Sequence, residues 1–203
     1  MPANTKKRTA KIIGLCVLWI ATWLFTQGLY MNESLRGLLP GSNELQVLAI
    51  TGYVALVMCV AVTVLHKEAK EFMRPSKWML LYVLPLACVA LLQFKYQGPL
   101  PVWLFIVMIV VSVTWQDVLT FGFFQGRVRR LTSMLNTILV VGFLFGFGHV
   151  VALTSDMSQI ASPGFYLLLV VGILFAWLRE KTSNIYVINV LHMTFLLVTM
   201  VSL

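Results

Sequence analysis

Seven apolar runs fill the chain, at residues 12–30, 45–65, 78–94, 102–124, 137–153, 164–178 and 185–203. A helix rises ~1.5 Å per residue, so about 20 such residues cross a ~30 Å hydrocarbon core. The polar segments between the runs are at most about 15 residues long, too short for a separate soluble domain. The pattern predicts an all-α, polytopic transmembrane bundle of about seven spans. One membrane domain, 1–203, is expected, with the candidate chemistry concentrated in 102–203.

Composition narrows the class further. The chain of 203 residues is 60% hydrophobic and 11% charged, where a soluble domain carries about a quarter charged residues. A water-soluble globule and a disordered chain are both excluded. The net charge of +8 would suggest nucleic acid in a soluble protein. Here, however, 13 of the 15 basic residues fall on one side of the spans: Lys6, Lys7, Arg8 and Lys11; Lys67, Lys70, Arg74 and Lys77; Arg127, Arg129 and Arg130; Arg179 and Lys181. Only Arg36 and Lys95 lie on the other side. The positive-inside rule then puts the N-terminus in the cytoplasm and the C-terminus outside. The basicity reads as orientation and attraction to anionic lipid, with no nucleic-acid partner. The expected setting is the cytoplasmic membrane of a bacterial cell.

Other signals change little. Cys16, Cys59 and Cys88 fall inside spans and read as small hydrophobes, with no disulfide framework. The first run lacks a small-x-small exit and reads as a retained anchor. The sequon Asn32-Glu33-Ser34 would matter only in a secretory-pathway membrane. Trp19, Trp23, Trp78, Trp103, Trp115 and Trp177 read as interface anchors or lipid-facing residues.

A charge left in lipid is more informative. Of seven acidic residues, Glu33, Glu44, Glu68, Glu71, Asp156 and Glu180 fall in loops, and Asp117 alone lies inside a span. An acid at that depth costs roughly 2.5–3.5 kcal/mol on insertion scales, so it should face the bundle interior and have a partner. His66 sits at a membrane edge, whereas His149 and His192 are embedded in apolar spans. Asp117 and His192 are each seven residues from the inner ends of their spans, roughly 10 Å deep and therefore level. His149 is twelve residues in, roughly 18 Å, and reaches that level only through tilt or a broken helix. One polar residue in a span is as well explained by a hydrogen bond across a helix interface. Three on three helices favour a site.

The residues around them carry a resemblance. Trp115-Gln116-Asp117-Val118-Leu119-Thr120-Phe121-Gly122-Phe123-Phe124-Gln125-Gly126-Arg127 resembles the first motif of the CPBP family, the CAAX-protease and bacteriocin-processing (Abi) intramembrane proteases. That motif has two adjacent glutamates, then x-x-x-Arg-Gly. Phe145-Gly146-Phe147-Gly148-His149 matches the second motif, Phe-x-x-x-His, and Asn189-Val190-Leu191-His192 resembles the surroundings of the third-motif histidine. The likeness covers roughly residues 100 to 200. Four positions depart from it: the paired glutamates are Gln116 and Asp117, the arginine falls on Phe121, and the asparagine expected four residues after the third histidine is Leu196. Asn189 shares a helix face with His192, and Thr120 shares one with Gln116 and Asp117, so both are supporting candidates.

The resemblance implies a CAAX-protease-like intramembrane endopeptidase. A carboxylate with a histidine would activate water against a peptide bond of a membrane-associated or lipidated substrate, in peptide maturation or bacteriocin self-immunity. Gln116, Asp117, His149 and His192 are the candidate catalytic positions, with Thr120, Phe145 and Asn189 in support. Asp117 is the available base, because a glutamine amide has no useful basicity. His149 would share the water, and His192 with Asn189 would donate to the oxyanion. No cofactor is required, although Asp117, His149 and His192 could also hold zinc. Substrate and oligomeric state are not specified by the sequence. The alternative is a catalytically inactive member that binds a peptide as an immunity or scaffold protein. Gly142, Gly146 and Gly148 would let the His149 helix approach the Asp117 helix, and Gly122 and Gly126 would loosen the inner end of the fourth span.

Overall fold

The computed structural model describes residues 3–154 and 162–201; Asp156, with the outer loop assigned around it, lies outside them, as do the last residues of the final expected span. Among the described residues every regular element is helical. In chain order these are α1 (Ala3–Leu24), α2 (Gln27–Met31), α3 (Glu33–Arg36), α4 (Asn43–Val64), α5 (His66–Phe72), α6 (Val83–Lys95), α7 (Val102–Asp117), α8 (Gln125–Arg129), α9 (Met134–Thr154), α10 (Pro163–Thr182) and α11 (Tyr186–Val201). A 3₁₀ segment, Lys77–Tyr82, leads into α6, and a π-helical segment, Val118–Phe124, joins α7 to α8.

Local chemistry sets several helix ends. Ser42 Oγ accepts from the Leu45 amide at the start of α4, and Ser162 Oγ accepts from the Phe165 amide at the start of α10. Each thereby satisfies a backbone donor that has no intrahelical acceptor. Pro163 opens α10, where its missing N–H leaves no bond unmade. Arg179 and Lys181 in the last turn of α10 complement the negative end of its dipole.

Among the described residues, four helices are long and apolar enough to cross a bilayer: Thr5–Tyr30, Asn43–Val64, Val102–Arg129 and Pro163–Thr182. The chain is accordingly a multi-pass membrane protein. The other three expected spans take different forms. The run at 78–94 is one arm of a bent pair, His66–Phe72 and Lys77–Leu92, which turns through 78°. Pro75 lies in the break, where its lost N–H and fixed φ oppose a continuous helix. The runs at 137–153 and 185–203 correspond to the shorter apolar helices Met134–Val150 and Tyr186–Thr199.

The helices group into two compact units, Met1–Leu38 with Val118–Lys181, and Leu39–Asp117 with Thr182–Leu203. In the first, α9 and α10 approach almost backbone to backbone. A Cβ on Gly172 would lie 2.9 Å from the Gly142 carbonyl oxygen, and one on Gly142 would lie 2.8 Å from the Ile173 nitrogen. Gly146 faces Leu169 in the same contact. The close approach expected from Gly142 and Gly146 is therefore made to α10. Gly148 serves α1, since a Cβ there would meet the Trp19 ring at 2.8 Å and the Trp23 ring at 3.0 Å. Such contacts matter in lipid, where apolar burial gives helices little reason to associate and close packing must supply it.

In the second unit α4 buries Val47, Ile50, Thr51 and Val54 at helical spacing and packs on α7. The core joins Phe105, Ile109 and Val113 of α7 to Leu92 of α6 and Met193 and Leu197 of α11. Away from these faces, large apolar side chains such as Leu56, Val64, Leu80 and Phe94 are exposed, as lipid solvation permits.

Candidate active site

The second unit's core ends in polar chemistry. Phe105, Ile109 and Val113 recur every four residues along α7, and the next position in that series is Asp117. Met193 and Leu197 form the matching stripe on α11, and one step back along it is Asn189. Residues four apart share a helix face, so the two stripes that pack the core also bring Asp117 against Asn189. Asp117 is fully buried, with both carboxylate oxygens occupied: Asn189 Nδ2 donates to Oδ2 at 2.9 Å, and His192 Nδ1 lies 2.9 Å from Oδ1. Asp117 and His192, level by depth counting, thus meet directly.

An ionised carboxylate only accepts, so its bond to His192 requires the hydrogen on Nδ1. In the neutral ring the lone pair is then assigned to Nε2, the form of a general base held in place by a carboxylate. Asn189 orients that carboxylate. One hydrogen of its amide is committed to Asp117. Its own Oδ1 accepts from the Tyr82 hydroxyl at 2.6 Å. A four-residue chain results, from Tyr82 through Asn189 and Asp117 to His192.

Sequence reasoning missed Tyr82, because a tyrosine near the end of an apolar run usually anchors the membrane interface. Its partner sits 107 residues away, so no local signal marks it. Gln116 is buried beside Asp117 in the chain.

The remaining candidates belong to the first unit. His149 is buried, its Nδ1 lying 2.7 Å from the carbonyl oxygen of Phe145 one turn earlier. A carbonyl only accepts, so this bond also assigns the hydrogen to Nδ1 and the lone pair of the neutral ring to Nε2. The Phe145 ring lies 4.5 Å from the imidazole and the Trp23 ring 5.3 Å, measured between centroids. Phe145 therefore supports His149 through both its backbone and its ring. Thr120 is fully buried and accepts a 3.1 Å hydrogen bond from the Trp19 indole.

These contacts correct the reading of the tryptophans. Trp19, Trp23 and Trp115 are at most 2% exposed and belong to the interior, whereas Trp103 and Trp177 are exposed as expected. Trp19 and Trp23 stack on each other at 4.7 Å, and the absent side chain of Gly148 makes their space. Among the described residues, no group of three or more His, Cys, Asp or Glu side chains could hold a metal ion.

Comparison with known proteins adds one finding. No curated protein and no solved structure gives a match to the chain. Residues 98–198, however, match the family model described as type II CAAX prenyl endopeptidase Rce1-like. That stretch contains Gln116, Asp117, His149, Asn189 and His192. Over residues 98–198 the chain therefore belongs to the Rce1-like, type II CAAX prenyl endopeptidase family within the CPBP family.

Proposed function

We propose that this protein is an intramembrane endopeptidase that hydrolyses a peptide bond of a membrane-associated, lipidated peptide or protein. One observation carries the reading: a fully buried carboxylate, Asp117, held by His192 and Asn189 inside the family-matched stretch. A buried acid in a membrane segment is expensive, and this one is oriented at both oxygens. In the proposed reaction His192 Nε2 takes a proton from water as the water attacks the scissile carbonyl. Asp117 holds the ring and stabilises the imidazolium that forms, and the proton then passes to the leaving amine. His149 is assigned to the same chemistry by the second motif, with Nε2 as its active nitrogen; Gln116 occupies a motif position that lacks a base. The wider topology is part of the proposal: seven crossings with a cytoplasmic N-terminus, on the placement of 13 of 15 basic residues, in a bacterial cell membrane. Peptide maturation and bacteriocin self-immunity are the settings the resemblance suggests.

A second reading is favoured by Gln116 itself, an amide where the family motif places a glutamate. In that reading the protein binds a lipidated peptide without cleaving it. The test is cleavage of a prenylated CAAX-type peptide in proteoliposomes by the parent and by Gln116→Glu. The peptidase reading expects an active parent that gains little from the change, because two adjacent carboxylates repel and one becomes harder to ionise. An inactive parent brought to activity by Gln116→Glu, by the 10²–10⁴-fold typical of a general base, would establish the binding reading in its place.

A further inference from the structure

One cavity of the first unit lies outside the candidate site. It is an open cavity of about 520 Å³, lined by Thr5, Arg8, Thr9 and Ile12 of α1 and by residues 129–133, the turn between α8 and α9. That volume is in the range of small-molecule sites, roughly 300–1,000 Å³. Its chemistry is that of an anion site. Three arginines, Arg8, Arg129 and Arg130, contribute to the wall, and Arg129 Nε pairs with Glu180 at 3.3 Å.

Arg129 is held in place from two sides, since its Nη1 also donates to the Thr132 carbonyl at 3.1 Å. Two hydroxyls lie on the same wall, those of Thr132 and Ser133. Thr132 Oγ1 accepts from Asn136 Nδ2, and Ser133 Oγ accepts from the Asn136 amide. A hydroxyl has one hydrogen to give, and among the described residues neither hydroxyl is shown giving it to a protein acceptor. Thr9, by contrast, donates its hydrogen to the Thr5 carbonyl.

Position selects the kind of anion. The cavity lies where two membrane-crossing helices end together, Thr5–Tyr30 at its start and Val102–Arg129 at its finish. Those ends mark the boundary between hydrocarbon and water, the level at which lipid phosphates lie. Ile12, one turn further into the apolar run, supplies an apolar edge on the membrane side. We propose that this cavity binds a phosphate group, presented by the headgroup of an anionic phospholipid, through Arg8, Arg129 and Arg130 with the hydroxyls of Thr132 and Ser133. Arginine forks match phosphate oxygens in pairs, and basic pockets between membrane helices suit such headgroups. The proposal is independent of the peptidase reading.

The test is native mass spectrometry of the full chain released from nanodiscs containing phosphatidylglycerol in a phosphatidylcholine background. The parent should retain phosphatidylglycerol selectively. The Arg8→Gln, Arg130→Gln protein should retain it at least about 10-fold less, as expected for lost charge-assisted hydrogen bonds. Thr132→Val, which leaves the charge unchanged, should also weaken retention, whereas Lys67→Gln, Lys70→Gln should act only through the general surface field. Equal losses in the two double variants, with Thr132→Val indistinguishable from the parent, would overturn the site in favour of diffuse attraction. Displacement of the lipid by excess inorganic phosphate would reassign the site to a soluble phosphate. Matching thermal unfolding of all variants ensures that retention is compared between folded proteins.

Discussion

At the scale of single residues the site turns on how one buried charge is satisfied. Asp117 spends one oxygen on His192 and the other on Asn189, and Asn189 is itself fixed by Tyr82. In the proposed reaction Tyr82 is thereby a positioning residue that touches no reacting atom. Tyr82→Phe removes one hydrogen bond, typically worth about 1 kcal/mol, and frees the Asn189 amide to turn. The expected outcome is a kcat lower by about 3- to 10-fold with KM nearly unchanged, measured on a lipidated peptide. A rise in KM alone would instead place Tyr82 in substrate binding. Asp117 was legible from sequence because a charge inside an apolar run stands out, and His192 followed from its depth. Asn189 was legible from its three-residue spacing to His192, but its bond to Asp117 was not, since spacing gives a face and not a partner.

At the scale of elements, tight backbone packing and one departure from α-helical geometry dominate. Gly142 and Gly172 let α9 and α10 meet with no side chain between them. Gly142→Ala would drive a methyl to 2.8 Å from a backbone nitrogen, which no rotamer change relieves. Overpacking of this kind typically costs about 1–3 kcal/mol, so detergent-solubilised Gly142→Ala should unfold at a visibly lower temperature than Gly14→Ala. At Gly14 an added Cβ meets nothing within 4 Å.

The π-helical segment Val118–Phe124 begins at the residue after Asp117, and such segments frequently accompany functional sites. Hydropathy cannot reveal it, because an apolar run has the same composition whether its bonds close over four residues or five. Gly122, expected to loosen this stretch, lies within the segment. The break near Pro75 had a visible cause in the sequence, yet the apolar run beginning at 78 gave no sign that the chain reaches it through a 78° bend.

At the scale of the whole molecule, the helical class and membrane character were readable from hydropathy. The division into units was not. Each unit joins segments far apart in the chain, Leu39–Asp117 with Thr182–Leu203 in one case, and seven apolar runs of similar composition do not declare their neighbours. Orientation rests on the basic residues alone, and it is measurable. Cysteines introduced near Lys70 and Arg129 should label only from the cytoplasm, and one near Glu44 only from outside; the reverse would break the seven-span assignment. The most direct measurement is the cleavage rate of a prenylated peptide in proteoliposomes, comparing the parent with Asp117→Asn and His192→Ala at matched membrane abundance. A working Asp117–His192 pair predicts cleavage by the parent and losses on the order of 10²–10⁴-fold in each variant, with the proteins still folded and inserted. Cleavage at the parent rate by either variant would contradict it.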